Sequence, residues 1–432
     1  MKDKVGILSL GCPRNLVDSE NILSRLNLKG YPIVDMAQAD IGIVNTCAFI
    51  EDAKRESIEA ILDLIELKKK KGLKKIIVYG CLTQRYKDAL RRELPEVDAF
   101  LGRVSLNHSL DSYSLTPRHY AYLKICEGCL NNCSYCVIPK IKGGFTSLDM
   151  SSLRKKVHKF NRQGISELNI IGQDITGYGL DLYKELKICA LLKDILKHAP
   201  KIGWVRLLYL YPSRITDELI HIIADEPKVC KYVDLPIQHI NDRILKLMHR
   251  QTLKKDILKL IEKIRKRIPQ VALRTSVIVG FPSEEDSEFQ ELLSFIQEIK
   301  FERLGAFIYS REEGTPAFQL AGQIPKNTKI ARFNAVMSTQ QRISQEVNQQ
   351  FLGQVLDVLI DEKEDGHPST SLRTALSERS ESNGRYLGRS QYDAPEVDGL
   401  VYVSSKEALQ PGDFVKVKIT DTLEYDLVGE VE

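Results

Sequence analysis

The sequence has no long apolar segment and no excess of charge of one sign. No stretch of its 432 residues reaches the roughly 18–20 uninterrupted apolar side chains that a membrane-spanning helix needs, which argues against an integral membrane protein. The 62 Lys and Arg side chains nearly balance the 58 Asp and Glu side chains, so the total charge identifies no class of partner. The apolar run at residues 5–11 is short for a secretion signal, and we interpret it as the first β-strand of a cytoplasmic protein.

Nine cysteines are the unusual feature of an otherwise ordinary globular composition. A chain of this length forms hydrophobic cores without covalent help, so a small disulfide-stabilised protein is excluded. In a reducing compartment cysteines serve as metal ligands, as reactive thiols or as buried core residues. Their positions along the chain have to distinguish these uses.

Three units follow one another along the chain. Residues 1–106 alternate apolar strands with amphipathic helices, which predicts an α/β unit with a doubly wound parallel sheet. Residues 119–345 contain six strand-like segments and a connecting helix, a pattern that favours a partial TIM-like (β/α)6 barrel over the complete eight-fold one. Residues 346–432 predict a small antiparallel β-barrel, interrupted at 367–383 by a Ser- and Thr-rich segment that predicts a disordered insertion.

Three cysteines end the first three predicted strands. Cys12, Cys47 and Cys81 follow the segments VGILSLG, IGIVNT and KKIIVYG, and the carboxyl ends of parallel strands form a common crevice. A single cysteine at such a place is more often a buried core residue. Three of them at equivalent places favour a ligand set, and thiolates are the usual ligands of iron–sulfur clusters. Gly11 and Gly80 precede two of them and allow the backbone to approach a bulky cluster closely.

Four more cysteines lie in the segment ICEGCLNNCSYCVIP, on the loop after the first predicted barrel strand, where barrel enzymes place their chemistry. A four-cysteine zinc site usually separates its two C-x2-C pairs by a longer span, so this compression disfavours zinc, which stays the alternative. Cys129, Cys133 and Cys136, in the pattern C-x3-C-x2-C, suit three irons of a cubane whose fourth iron is open. Cys126 is then a neighbour of the site, and the two remaining cysteines are expected in the hydrophobic core.

This spacing resembles the signature of radical S-adenosylmethionine enzymes. Together with the three N-terminal cysteines, it makes nearly the whole chain resemble the radical SAM methylthiotransferase family, the C-terminal part matching the TRAM domain. Within the family, SLGCPRNLVDSE resembles the RimO type, which modifies an aspartate of the small-subunit ribosomal protein numbered twelve; the tRNA-modifying MiaB type usually has glutamine where this chain has Pro13. Further matching segments are GQDITGYG, RLLYLYP, DLPIQH, RTSVIVGFP and YSREEGTPA.

The resemblance implies two 4Fe-4S clusters, S-adenosyl-L-methionine and an electron donor. The cluster on Cys129, Cys133 and Cys136 would bind the cofactor and cleave it to a radical that takes hydrogen from the β-carbon of the target aspartate. The auxiliary cluster on the other triad would carry the methylated sulfur to that carbon. Candidate cofactor contacts lie at the ends of later strands or next to the signature; they are Tyr135, Gln173, Asp174, Gln238, Ile278, Gly280 and Pro282.

The chain departs from the family pattern just after the signature. The family usually has an Arg-Gly-x-x-Arg-Ser-Arg run there, whereas this chain has Lys142, Thr146 and Leu148 at the arginine positions. One lysine does not replace several bidentate guanidinium groups, so we expect this segment to contribute differently to cofactor or substrate binding. Ser283 also stands where a glycine is usual.

The charge is distributed unevenly along the chain. Residues 351–432 carry 8 Lys and Arg against 17 Asp and Glu, a net charge of −9, which leaves +13 on the other 350 residues of a chain whose total is +4. An acidic terminal unit would repel RNA and attract a basic ribosomal protein, although acidic surfaces also simply keep small domains soluble. Two alternatives to the ribosomal-protein enzyme stay open: a tRNA adenosine methylthiotransferase of the MiaB type, and a non-catalytic Fe–S or zinc protein that binds RNA.

Overall fold

The structure is a computed structural model that describes residues 2–70, 72–102, 113–364 and 384–432. The predicted insertion at 367–383 and residues 107–112 of the segment between the first two units lie outside these residues. In the described ranges, no helix combines the length and the apolar character needed to cross a membrane.

The N-terminal unit is a parallel sheet with strand order β1-β2-β3-β4. Its elements are β1 (Val5–Ser9), α1 (Pro13–Leu28), a 3-10 turn (Met36–Gln38), β2 (Ile41–Thr46), α2 (Glu51–Lys69), β3 (Lys75–Gly80), α3 (Cys81–Glu93) and β4 (Ala99–Leu101). Val44 and Val78 of the sheet pack against Ile61 of α2 in the core. The strands and helices follow the predicted alternation, except that β4 was not predicted because three residues are too few to show a period.

The central unit contains all six predicted strands, arranged as two parallel sheets of three. They are β5 (Tyr120–Lys124), β8 (Glu167–Ile171) and β9 (Trp204–Leu207) in one sheet, and β10 (Tyr232–Asp234), β11 (Ala272–Val279) and β12 (Arg303–Ile308) in the other. The sheets adjoin between β9 and β10, where the backbone N–H of Leu210 donates to the carbonyl of Asp234 at 3.1 Å. A short antiparallel pair, β6 (Cys126–Glu127) and β7 (Thr146–Ser147), brackets the loop that carries the cysteine signature.

Helices surround these two sheets. They are α4 (Ile138–Lys142), α5 (Met150–Gln163), α6 (Leu180–Tyr183), α7 (Ile188–His198), α8 (Asp217–Asp225), α9 (Asp242–Leu247), α10 (Lys254–Arg267), α11 (Asp286–Ile299) and α12 (Lys326–Gln349), with 3-10 turns at Ile175–Gly177, Pro212–Arg214 and Pro316–Gln319. Side-chain caps set several helix starts: Asp149 accepts from Ser152 N–H, and Thr216 accepts from Leu219 N–H. The two remaining cysteines lie in hydrophobic cores, as expected; they are Cys189 and Cys230.

The C-terminal unit is a closed barrel with strand order β13-β14-β15-β17-β16. Its strands are β13 (Val355–Lys363), β14 (Gly384–Ser390), β15 (Val401–Ser405), β16 (Phe414–Thr422) and β17 (Leu427–Val431). The neighbouring pairs are antiparallel apart from β15 and β17, which run parallel. Strand β14 was not predicted; it directly follows the Ser- and Thr-rich segment and holds two glycines and two arginines, which obscure its alternation.

The C-terminal barrel is docked against the amino ends of the central strands. Trp204 at the start of β9 meets Phe414 of β16 edge to face, with ring centroids 4.9 Å apart. The loop after β14 contributes acceptors to the same surface, since Asp398 accepts from Arg274 at 3.3 Å and Glu396 accepts from the Tyr120 hydroxyl at 2.9 Å. This docking leaves the opposite, carboxyl ends of the central strands for the N-terminal unit.

Candidate functional site

The N-terminal cysteines lie along one edge of their sheet. Cys12, Cys47 and Cys81 follow β1, β2 and β3, and the register pairs Ser9 with Asn45 and Thr46 with Gly80. Each thiol is close enough to the others to influence their ionisation. The structure therefore brings this predicted triad together at the carboxyl ends of three adjacent parallel strands.

Glycine before the first of these thiols makes the close approach of β1 and β2 possible. Gly11 has a φ of +90°, and a Cβ there would lie 2.8 Å from the Cβ of Cys47. Any side chain would push these two cysteine-bearing segments apart. Glycine at position 11 thus lets the two cysteine-bearing segments approach each other closely.

Arg14 joins this triad to the central unit. Its Nε donates to the Cys12 sulfur at 3.4 Å and its Nη1 donates to the Gly172 carbonyl at 3.0 Å. The guanidinium carbon also lies 4.3 Å from the ring centroid of Tyr209, which follows β9. Gly172 directly follows β8, so this one side chain links a cysteine of the N-terminal triad to the central unit.

The charge of Arg14 makes the pKa of Cys12 differ from the pKa values of the other two thiols. Burial raises the pKa of Cys81 to about 12 and also raises the pKa of Cys47. For Cys12 burial acts in the same direction, but the Arg14 charge and its hydrogen bond outweigh burial and lower the pKa below the usual thiol value. Cys12 is therefore the thiol of this triad that is best prepared to act as a thiolate.

The second triad lies on the loop between β6 and α4. Within this loop the Cys136 N–H donates to the Cys133 carbonyl at 3.1 Å, which folds the two cysteines around one turn. Asn131 donates from both its backbone N–H and its Nδ2 to the Cys129 sulfur, each at 3.4 Å. Such donors stabilise a thiolate and are among the groups that set the potential of an iron–sulfur cluster.

Two arginines hold the second triad from the barrel side. Arg250 Nη2 donates to the Pro236 carbonyl at 2.6 Å, and Arg250 Nη1 lies 3.8 Å from the Cys133 sulfur. Arg214 donates to Asn131 Oδ1 at 2.8 Å and to the Asp174 carboxylate at 2.6 Å. Asp174, predicted as a cofactor contact, is thus committed to holding the loop through Arg214 and Asn131.

Gln173 differs from its neighbour Asp174. Both polar atoms of its side-chain amide are buried and have no hydrogen-bond partner among the described residues. The Tyr211 hydroxyl and the Nε of Arg250 are likewise buried and have no hydrogen-bond partner among the described residues. Buried polar groups normally have partners, so a polar ligand that reached these three side chains would satisfy them; contact of Gln173 with S-adenosyl-L-methionine stays a prediction.

The other predicted cofactor contacts lie at the carboxyl ends of the second sheet. Gln238 has a φ of +73° and its N–H donates to the Ser276 carbonyl at 2.9 Å, while the Gly280 N–H donates to the Glu284 carboxylate at 2.9 Å. Ile278 and Tyr135 pack in one apolar cluster with Phe281, and Pro282 is buried beside it. These residues form a wall of the site, and their contact with a cofactor stays a prediction.

Both departures from the family pattern have structural counterparts. Leu148 packs against the barrel core, and Lys142 is buried in ion pairs with Asp18 and Glu127. Ser283 has a φ of +61°, a conformation that favours glycine, and Arg243 donates to its carbonyl at 2.6 Å. The hydrogen bond from Arg243 therefore holds Ser283 in a backbone conformation that glycine would adopt without strain.

The donor set of each triad fits an iron–sulfur cluster. Each triad offers three thiols, and a cubane accepts each thiolate on a different iron and can leave the fourth iron open.

Sequence reasoning did not identify Arg14, Asn131, Arg214 or Arg250. Arg250 reaches the Cys133 sulfur from 117 positions along the chain, and Arg14 reaches Gly172 from 158 positions. Contacts at such separations leave no spacing pattern. The available signals were local: Arg14 and Asn131 each lie two residues after a predicted cysteine ligand.

Three family models match the chain. They are the uncharacterized protein family UPF0004 at residues 4–102, the Radical SAM superfamily at residues 123–296 and the TRAM domain at residues 352–431.

Curated relatives match the chain from end to end. A protein of Clostridioides difficile (strain 630) named ribosomal protein uS12 methylthiotransferase RimO is 44% identical and covers 99% of this chain and 98% of its own length. A protein of the same name from Caldanaerobacter subterraneus is 46% identical over 99% of both chains.

Among solved structures, the radical S-adenosylmethionine methyltransferase TsrM from Kitasatospora setae, solved with cobalamin and a 4Fe-4S cluster, aligns with a TM-score of 0.54 at 13% identity. The alignment covers 83% of this chain and 81% of that one. This likeness concerns the fold.

Proposed function

Because the chain belongs to the RimO family of ribosomal protein uS12 methylthiotransferases, we propose that it adds a methylthio group to the β-carbon of an aspartate of uS12. Membership makes it an enzyme, a radical SAM transferase that uses S-adenosyl-L-methionine and a 4Fe-4S cluster. The observation that supports the proposal best is the position of Arg14, bonded to Cys12 on one side and to Gly172 of the central unit on the other. This arginine thus joins the N-terminal triad to the unit that carries the second triad.

We assign the radical SAM cluster to Cys129, Cys133 and Cys136. A cluster with one open iron binds S-adenosyl-L-methionine and supplies the electron for its reductive cleavage. Asn131 orients the Cys129 sulfur and Arg250 lies beside the Cys133 sulfur.

We assign the auxiliary 4Fe-4S cluster to Cys12, Cys47 and Cys81. The edge position of the triad, the lowered pKa of Cys12 and the close approach of the cysteine-bearing segments at Gly11 support this assignment. The sulfur to be transferred would be held on this side, and Arg14 fixes the distance between it and the cofactor side. A substrate aspartate placed between the two triads can meet both reactants.

The C-terminal barrel has fewer acidic side chains left to bind a basic partner than the sequence suggests. The C-terminal barrel uses several of its acidic side chains internally: Asp361, Asp393, Glu396 and Asp398 are bonded to residues of the central unit. Four of the 17 acidic residues in 351–432 therefore pair with the basic central unit and not with a partner protein. Strand-edge acids such as Glu362, Glu407 and Glu430 remain exposed, and still disfavour an RNA backbone over a basic ribosomal protein.

One anaerobic experiment separates the candidate functions. The reconstituted protein is incubated with S-adenosyl-L-methionine and a reductant, together with either uS12 or tRNA, and both macromolecules are analysed by mass spectrometry. We expect a methylthio group in place of one hydrogen on an aspartate of uS12 and unchanged tRNA. Modified adenosine in the tRNA with unchanged uS12 would favour the MiaB type instead. Zinc in place of iron, or iron without cofactor cleavage, would support the non-catalytic alternative.

A further inference from the structure

Lys142 lies on the radical SAM loop but reaches into the N-terminal unit. Its Nζ lies 2.9 Å from Glu127 Oε1 and 3.3 Å from Asp18 Oδ2. Lys124 is bonded to the same two carboxylates, at 2.7 Å to Glu127 and also to Asp18. All four side chains are at most 9% exposed. We call this group of two cations and two anions the interface tetrad.

The interface tetrad connects the segments that carry the two cysteine triads. Asp18 belongs to α1, whose N-terminal cap is Cys12. Lys142 is the last residue of α4, which starts two positions after Cys136. Removing one member leaves a partner charge buried and unpaired, which is costly, so the tetrad holds α1 and the radical SAM loop in one arrangement.

Lys142 also lies beside the third thiol of the N-terminal triad. One small cavity is lined by Asp18 and Lys142 together with Gly80 and Cys81, which places the Lys142 side chain and this thiol at the same cavity. Because Lys142 is ion-paired with two buried carboxylates, of Asp18 and Glu127, its side chain is held as a cation next to this thiol.

We propose that Lys142 is a positioning residue for the auxiliary triad, which it ties to the radical SAM loop and supplies with a fixed positive charge beside Cys81. The inference rests on the proposed auxiliary cluster. A nearby cation stabilises the more negative, reduced form of a thiolate-ligated cluster, because net charge around the site sets its reduction potential. A lysine ammonium can bond two carboxylates and face a thiolate at once. The lysine that stands here in place of the family's usual arginine therefore keeps a positive charge at this position.

The test uses a full-length background in which Cys129, Cys133 and Cys136 are replaced by Ala, so that only the N-terminal triad can hold a cluster. Each variant is reconstituted anaerobically, and its iron content and reduction potential are measured. For Lys142→Met we expect the equilibrium constant for one-electron reduction of the cluster to fall about tenfold, which corresponds to a reduction potential about 59 mV more negative. Lys142→Arg should stay close to the unsubstituted background. Lys140→Met is the matched control, since Lys140 is exposed on the same helix.

Glu127→Gln provides a test of opposite sign that does not depend on Lys142→Met folding well. It removes a negative charge from the same tetrad, so we expect the potential to move to more positive values. A purely structural role would give losses of iron in both variants without opposite shifts, and that result would overturn the inference, as would an unchanged potential in Lys142→Met. Absence of any cluster in the background protein would instead refute the auxiliary cluster of the proposed function.

Discussion

The carboxylate of Asp393 in the C-terminal barrel binds the guanidinium of Arg303 in the central unit, with Arg303 Nε to Asp393 Oδ1 at 2.9 Å. Neither side chain is more than 8% exposed. Together with the bond from Arg274 to Asp398, this pair fixes the loop after β14 under the central strands. The acidic C-terminal barrel is thus held in place by the basic unit to which it is joined.

Replacing Asp393 by Asn should weaken this docking strongly. It leaves the Arg303 charge buried without a counter-charge, for which a loss of about 3–5 kcal/mol in the free energy of unfolding is typical. Denaturant unfolding followed by circular dichroism measures the effect. Asp357→Asn is the control, because its pair with Lys416 is 53% and 63% exposed and should contribute at most about 1 kcal/mol. Equal losses in the two variants would contradict the structural role of the buried pair.

The two cysteine triads should have separable roles. Cys133→Ala should abolish cleavage of S-adenosyl-L-methionine because it removes a ligand of the radical cluster, whereas Cys47→Ala should leave cleavage intact and stop methylthio transfer. Anaerobic assays of 5′-deoxyadenosine formation and of product mass distinguish the two activities. Cys189→Ala, a core cysteine outside both triads, should retain both. Transfer by the Cys47 variant would refute the assignment of the auxiliary triad.

Arg14→Met should affect transfer much more than cofactor cleavage. The substitution removes the donor to Cys12 and the bond to Gly172, and the loss of such outer partners typically costs about 10–100-fold in metal affinity or activity. We expect methylthio transfer to fall by that factor while cleavage stays within about twofold of the unsubstituted enzyme, since the radical triad keeps Asn131 and Arg250. Arg55→Met, an exposed position on α2, should be neutral. If cleavage falls as far as transfer, Arg14 does not act mainly on the auxiliary side.

His239 should make stability depend on pH below neutrality. Burial lowers the pKa of this histidine to about 4, against about 6.5 in an unfolded chain. Between these values the unfolded state binds the extra proton, so stability present above pH 6.5 is lost as the pH falls toward 4, by roughly 3 kcal/mol in total.

The measurement is the free energy of unfolding at several pH values for the unsubstituted protein and for His239→Gln, which has no ionisable side chain at this position. The unsubstituted protein should lose more stability on acidification than this variant does. His221→Gln, at an exposed position on α8, should follow the unsubstituted protein. Parallel curves for the unsubstituted protein and His239→Gln would rule out the role of His239.

Much of the fold was predictable because it depends on local patterns. The strand-like segments of the central unit, such as Glu167–Ile171, are apolar runs bounded by turns, and the helices between them show clear periodicity. The cysteines at the ends of β1, β2 and β3 are likewise visible as a repeated local position. Strands β4 and β14 were missed because one is very short and the other follows a segment of low complexity.

The meaning of individual charges was less predictable. From the sequence, Lys142 was expected to change how the segment after the cysteine signature contributes to cofactor or substrate binding. The structure places it in a buried tetrad with Asp18, which lies 124 positions away. The sequence also suggested an acidic face for a partner, whereas Asp393 and Asp398 are occupied by Arg303 and Arg274. Whether a charge faces solvent or a counter-charge depends on contacts between distant segments, for which one sequence has no periodic signal.

The sequence by itself determined the three units, the two cysteine triads and the family, because spacing and alternation are properties of neighbouring residues. Only the tertiary structure showed that Arg14 bonds both Cys12 and Gly172 and that Lys142 pairs with Asp18. It also showed that the C-terminal barrel covers the amino ends of the central strands. Those relationships arise when the units pack and bury opposite charges together, where an unpaired charge is too costly to leave.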